Sequence, residues 1–207
     1  MHTTHTPLTF ADHTLHMVEF DPDSFHEHDL LWLPHHSQLQ SCGRKRKAEH
    51  LAGRIAAVHA LREYGIKTVP GIGGQRQPLW PQKLFGSISH SALSALAVVS
   101  THPVGLDIEA IFTQQMANEL VSSIVTNTEK AWLANSGLSV EQALTLAFSA
   151  KESAFKATRA SQQSAAEFTQ YQIVELQHNQ MILRTHSQAY RVQWRFSGND
   201  VITLATV

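Results

Sequence analysis

The chain is predicted to be an α+β protein built as two α/β lobes that join near residues 100 to 110. Three observations carry this. Strand-like alternation and helix-like periodicity follow one another along the 207 residues in the order strand, helix, strands, then helices, strands. A hydrophobic content of 43% is enough to bury a real core, as one domain or as two small lobes sharing an interface. From Tyr171 onward apolar and polar residues alternate through several short runs, the pattern of an antiparallel meander with one buried face. The lobes are placed at 1–102 and 103–207, and no sequence repeat links them.

Residues 8 to 20 alternate loosely and predict one or two short strands, Leu15 to Phe20 being the clearer. Asp21-Pro22-Asp23 has the form of a helix start and predicts a short helix ending near Leu33-Pro34. From Ser41 to Tyr64, Ala48, Leu51, Ile55, Val58 and Leu61 recur at three- and four-residue steps, which predicts a long helix stopped by Gly65. Gly71 to Pro81 holds three glycines and two prolines around Arg76 and Trp80 and reads as a loop. Ser87 to Ser91, Leu93 to Ser100 and Val104 to Glu109 follow as strands, the last entered through His102-Pro103. Helices are predicted over Thr113 to Ile124 and over Thr128 to Asn135, with Thr128 as N-cap and Gly137 as stop. Ser139 with Gln142 forms a capping box for a helix running to about Arg159, and the polar Ser161 to Glu167 reads as a loop. Strands Tyr171 to Leu176, Met181 to Arg184, Tyr190 to Phe196 and Val201 to Thr206 complete the chain.

Composition excludes several functions. Sixteen Lys and Arg against seventeen Asp and Glu leave no global positive field for wrapping nucleic acid, so any polyanion must be met locally. One cysteine, Cys42, rules out an internal disulfide framework and a four-thiol metal site, which fits a reducing cytosol. Residues 1 to 10 lack a basic cluster before an apolar run, and no stretch of about eighteen apolar residues occurs. A cytoplasmic protein is therefore expected, with any membrane attachment peripheral. The fourteen histidines lack the paired spacing of a zinc site and are read mostly as surface residues.

Two short segments concentrate chemistry. On a strand, Asp107 and Glu109 face one way while Leu106 and Ile108 face the other. In a helix, Glu152 and Lys156 are neighbours four residues apart, and Lys151 sits one step round, able to approach the same ligand from the side. Asp107, Glu109 and Glu152 make an all-oxygen set suited to Mg²⁺ shared with phosphates, although two carboxylates at this spacing are also common as solvated edge-strand charges. The helix tips the balance toward a site, because its charges stand among Leu144, Ala147, Phe148, Ala150, Ala154 and Phe155, where an unpartnered charge costs desolvation.

Two further segments point to an anion. Ser87-Ile88-Ser89-His90-Ser91 offers hydroxyls, amides and an imidazole at a strand end, though Ser-rich turn chemistry alone would look the same. A Ser89–His90 nucleophilic pair is a poor reading, since adjacent strand residues point to opposite faces and do not easily share a proton. Gly43-Arg44-Lys45-Arg46-Lys47 and Arg54 put positive charge at a helix start, against the helix dipole. Arg46 and Arg54, about 80° and 12 Å apart on the helix, can reach one extended anion, or can simply form a solvated basic surface.

Taken together and in order, Gly86 to His90, Val104 to Glu109 and Phe148 to Lys156 resemble the three signature segments of the 4'-phosphopantetheinyl transferases of the surfactin type. The runs Gly43 to Ala57 and Arg76 to Pro81 extend the resemblance over essentially the whole chain. The resemblance implies two similar lobes about a pseudo-twofold axis with the active site in the cleft between them. It implies transfer of phosphopantetheine from coenzyme A to a serine of apo aryl and peptidyl carrier domains of siderophore synthesis, by a monomer, with no nucleic acid involved. Asp107, Glu109 and Glu152 would hold Mg²⁺ on the pyrophosphate, Glu152 would also take the serine proton, and Lys156 would neutralise or protonate the departing phosphate, with Lys151 nearby. Arg46, Arg54, Arg76, Ser89 and His90 match positions that grip the nucleotide and its 3'-phosphate. Two other readings use the same residues: a Mg²⁺-dependent coenzyme A phosphodiesterase or pyrophosphatase, and a non-catalytic scaffold that binds carrier domains.

Overall fold

The computed structural model describes residues 1–158 and 168–207, so the loop expected at Ser161 to Glu167 and a helix end at Arg159 lie outside the described residues. The chain divides into two compact units, Met1–Thr101 and His102–Val207. Among the described residues no helix is long and apolar enough to cross a membrane.

The first unit is an antiparallel sheet under one long helix. Strands β1 (Thr3–Phe10) and β2 (His13–Phe20) form a hairpin whose two turn residues, Ala11 and Asp12, both take positive φ, the geometry that follows strand twist in a two-residue loop. β1 begins earlier than the sequence pattern suggests, because its Thr and His residues lie on an outer strand and carry no apolar alternation. The helix expected from Asp21 to Leu33 is instead a series of short 3₁₀ turns, Pro22–Ser24, Glu27–Trp32 and His36–Leu39. The reason is anchoring: Phe25, Leu30, Leu33 and Leu39 are all buried at spacings that no single α-helical face provides.

Helix α1 (Arg44–Arg62) packs against the sheet, which continues through β5 (Phe85–Ser91) and β6 (Ser94–Ser100) in the order β1-β2-β6-β5. Between α1 and β5 the stretch expected as a loop contains a small two-residue pairing, β3 (Gly71–Ile72) with β4 (Pro78–Leu79). Trp80 packs onto the core beside Gly86, where an added Cβ would stand 2.7 Å from the indole. The histidines are less superficial than expected, since His16 and His35 are buried.

The second unit begins with β7 (Val104–Ala110), which pairs antiparallel with the last strand of the chain. Helices α2 (Gln114–Ile124), α3 (Asn127–Ala134) and α4 (Val140–Ala157) follow, then β8 (Gln172–Leu176), β9 (Gln180–Arg184), β10 (Ala189–Ser197) and β11 (Asp200–Thr206). The sheet order β7-β11-β10-β9-β8 is the expected meander with β7 added at its closing edge. Ser139 and Gln142 make the expected capping box on α4. The cap of α3 is not Thr128 but Thr126: its hydroxyl accepts from the Glu129 amide while the Glu129 carboxylate accepts from the Thr126 amide. Thr128 is an exposed residue inside the helix.

α4 lies on β7 and β11, and Gly105 sets how closely. A Cβ there would stand 1.8 Å from the Ser153 carbonyl oxygen and 2.6 Å from the Ala157 nitrogen, so only glycine permits the contact. This approach places the acidic strand beside the Lys-Glu-x-x-x-Lys helix.

Candidate active site

Asp107 is the hub of the second unit's polar cluster. Its strand is covered on both faces, so the carboxylate is buried along with Leu106 and Ile108 rather than lying on an open binding face. Burial of a charge requires partners, and two are supplied from α4. Lys156 Nζ lies 2.6 Å from Asp107 Oδ1 and also donates to the Leu106 carbonyl at 3.2 Å. Ser149 Oγ donates to Asp107 Oδ2 at 2.8 Å and shares a 2.9 Å bond with Thr203, the residue paired with Asp107 across β7 and β11. Lys156 stands in the last turn of α4, where a cation is favoured by the helix dipole.

Glu109 and Glu152 are electrostatically coupled to this pair. Burial pushes Glu109 up to about 7, helped by the Asp107 and Glu152 charges and opposed by Lys156. Burial also raises Glu152, with Asp107 raising it further and Lys156 opposing. Glu152 lines a cavity of about 140 Å³ with Lys151, Phe155, Phe168 and Tyr171. Neighbouring carboxylate charge adds to the effect of burial at both residues, and a divalent cation would offset that charge. Among the described residues no three His, Cys, Asp or Glu side chains gather closely enough to hold a metal ion by themselves. The expected Asp107, Glu109 and Glu152 set is therefore not a closed protein cage, and Mg²⁺ held there would need phosphate oxygens and water to complete its shell.

Lys151 departs from expectation. Its side chain is fully buried, and its ammonium lies 2.7 Å from Glu129 Oε1 while donating to the Ile124 carbonyl at 2.8 Å. A residue one step round the helix from Glu152 points about 100° away, and here that direction brings the Lys151 ammonium onto Glu129 and the Ile124 carbonyl. Burial lowers its pKa, and the Glu129 hydrogen bond and charge oppose that shift.

The first unit gathers a basic group on α1 and β5. Arg46 Nη1 donates to His90 Nε2 at 2.9 Å, and the other ring nitrogen of His90 faces Glu49 Oε2 at 3.8 Å. Arg54 is buried and spends two donors on backbone carbonyls, those of Pro70 at 2.8 Å and Gly71 at 3.0 Å. Desolvation, with Arg46 adding repulsion, pulls it down to about 10. His50 is pulled down to about 3 by burial and then by Arg54, His35, Arg46 and His90, and it shares a 2.9 Å bond with His35. Neutral His50 therefore sits among cations, a place where an anion would be welcome. Ser89 is buried on β5 next to His90. Arg76 stands on the exposed tip between β3 and β4 at φ 63°.

Sequence reasoning overlooked His35, His50 and Glu49 in the first unit, and Ser149, Thr203 and Glu129 in the second. His50 was accessible: positions 46, 50 and 54 step by four along one helical face. Ser149 and Thr203 carried no signal, since their role depends on the α4 and β11 packing.

The comparisons agree along the whole chain. Residues 35–100 match the 4'-phosphopantetheinyl transferase N-terminal domain, and residues 103–205 match the 4'-phosphopantetheinyl transferase superfamily. The chain is 58% identical over 204 residues to enterobactin synthase component D of Escherichia coli (strain K12), covering 99% of this chain and 98% of that protein. It is 54% identical over 214 residues to enterobactin synthase component D of Salmonella typhi, covering 100% and 91%. With matches on both units and identity above half across nearly all of two relatives, the chain belongs to the 4'-phosphopantetheinyl transferase superfamily.

Proposed function

We propose that this enzyme transfers 4'-phosphopantetheine from coenzyme A to a serine of apo aryl and peptidyl carrier domains of enterobactin synthesis. The observation that carries the assignment of roles is the Asp107–Lys156 pair with two further carboxylates, Glu109 and Glu152, coupled to it. The carrier serine oxygen attacks the phosphorus that bears pantetheine, the bond from that phosphorus to the bridging oxygen breaks, and adenosine 3',5'-bisphosphate leaves. A serine hydroxyl needs a base as attack proceeds, and Glu152, with its proton affinity raised by burial, is suited to accept the proton. Lys156, held at Asp107, neutralises the departing phosphate or gives it a proton. Asp107, Glu109 and Glu152 would hold Mg²⁺, whose contribution when bound is to offset pyrophosphate charge as the bond breaks.

Arg46, His90 and Ser89, with Arg54 behind them and Arg76 on its turn, would hold the nucleotide and its 3'-phosphate. Arg54 has two donors on carbonyls and so acts there as much by shaping the Pro70-Gly71 backbone as by direct charge.

The test is incubation with coenzyme A, Mg²⁺ and a folded apo carrier domain, followed by intact mass measurement of the carrier. A gain of one phosphopantetheine is expected. Consumption of coenzyme A without an acceptor would favour a hydrolase, and binding without any covalent product would favour a scaffold.

A further inference from the structure

The Lys151–Glu129 ion pair sits at a junction of five chain segments. Glu129 Oε1 receives the Lys151 ammonium at 2.7 Å and the Ile173 amide at 2.8 Å, while Oε2 receives the Thr126 amide at 2.8 Å. Lys151 also donates to the carbonyl of Ile124. The end of α2, the turn after it, α3, α4 and the start of β8 thus meet at one pair whose side chains are 0% and 2% exposed. A buried ion pair adds little net stability compared with packed apolar residues of similar volume, so its use lies in what it orients.

What it can orient is the next residue. Lys151 and Glu152 are consecutive on α4, so the helix rotation that seats Lys151 on Glu129 also fixes the direction of Glu152. Both side chains line the same 140 Å³ cavity, whose wall includes Tyr171 at the start of the β8 segment held by Glu129. We infer that the Lys151–Glu129 pair is a positioning device that sets the rotation of α4 and aims the Glu152 carboxylate, and that Lys151 is not a ligand of the coenzyme A pyrophosphate. What Glu152 does once aimed rests on the transferase reading; the aiming itself does not.

The experiment compares Lys151→Met, Glu129→Leu and the double variant, with Glu129→Gln as a milder replacement where a single variant does not fold. Amide hydrogen exchange over residues 150–156 is read in the resting enzyme, and kcat and KM for coenzyme A are read with a carrier domain. Each single variant is expected to speed exchange in α4 and lower kcat about tenfold, a change of about 1.4 kcal/mol, while KM for coenzyme A stays within about threefold. The double variant, with no charge left unpaired, is expected to recover most of both losses. The inference is overturned if Lys151→Met raises KM for coenzyme A about tenfold while Glu129→Leu leaves it alone, the result for a direct ligand. It is equally overturned if exchange in α4 is unchanged in the folded single variants, the result for a pair that only adds stability. A wild-type enzyme unable to modify the carrier would remove the transferase reading, and the exchange arm would still judge the pair.

Discussion

Replacing Gly105 with alanine tests whether the spacing of β7 and α4 builds the site. The added Cβ would lie 1.8 Å from the Ser153 oxygen, 2.6 Å from the Ala157 nitrogen and 2.9 Å from the Ser153 carbonyl carbon. All three are backbone atoms, so no rotamer change relieves the overlap, and strand and helix must part by more than about 1 Å. The Asp107–Lys156 contact of 2.6 Å spans this junction, and the same movement displaces Glu152 from Asp107. Misplacement of about 1 Å costs about a hundredfold in rate. Overpacking costs about 1 to 3 kcal/mol, or about 2 to 4 °C of melting temperature per kcal/mol in a chain of this size. Carrier modification by mass spectrometry and a thermal melt measure the two effects. Gly74→Ala, with open space around its Cβ and no positive φ, is the control, expected within about 0.5 kcal/mol of the parent. A Gly105→Ala enzyme with parental turnover and melting would refute the reasoning.

Asp107→Ala and Glu152→Ala are each expected to lower transfer by about 10² to 10⁴ with the fold intact by circular dichroism, and near-parental turnover in either would remove its assigned role. The raised Glu109 pKa has a definite sign in stability: the folded state binds its proton more tightly, so this contribution is fully present below about 4.5 and is lost as pH rises through about 7. Melting curves without divalent ions should therefore show the gap between the parent and Glu109→Gln changing over that window; taking the difference cancels the opposite slope of the half-buried His50 and His59. Thr126→Ala should cost about 1 kcal/mol through loss of the α3 cap, whereas Thr128→Ala should cost less than about 0.5 kcal/mol, as judged by chemical denaturation.

What could be read from sequence alone follows from how local each signal is. α1 and α4 were legible because their apolar spacing and end residues are written within one segment, as with Ser139 and Gln142. The turns from Pro22 to Leu39 were not, because they are held by Phe25, Leu30 and Leu33 reaching into a core assembled from distant strands. Thr126 and Thr128 both suit a cap, and Glu129 three residues after Thr126 was the deciding feature. In the candidate site, the placing of Glu152 and Lys156 one turn apart on α4 was legible from helix periodicity, whereas the burial of Asp107 was not, because α4 covers the strand face that alternation alone leaves open. The direction of Lys151 was not, because it depends on Glu129, which α3 delivers from 22 residues away. Gly105 carried no sign of its importance until α4 was laid across it.

The central claim is that Asp107, Glu109 and Glu152 hold a divalent ion against the coenzyme A pyrophosphate while Lys156 meets the leaving phosphate. Mn²⁺ in place of Mg²⁺, with phosphorus NMR relaxation of enzyme-bound coenzyme A, measures this directly, because a paramagnetic ion broadens the nearest phosphorus most. The account predicts strong broadening of the two pyrophosphate resonances, weaker broadening of the 3'-phosphate, and loss of that contrast in Asp107→Ala. Equal broadening of all three phosphates, or a contrast that survives Asp107→Ala unchanged, would contradict it.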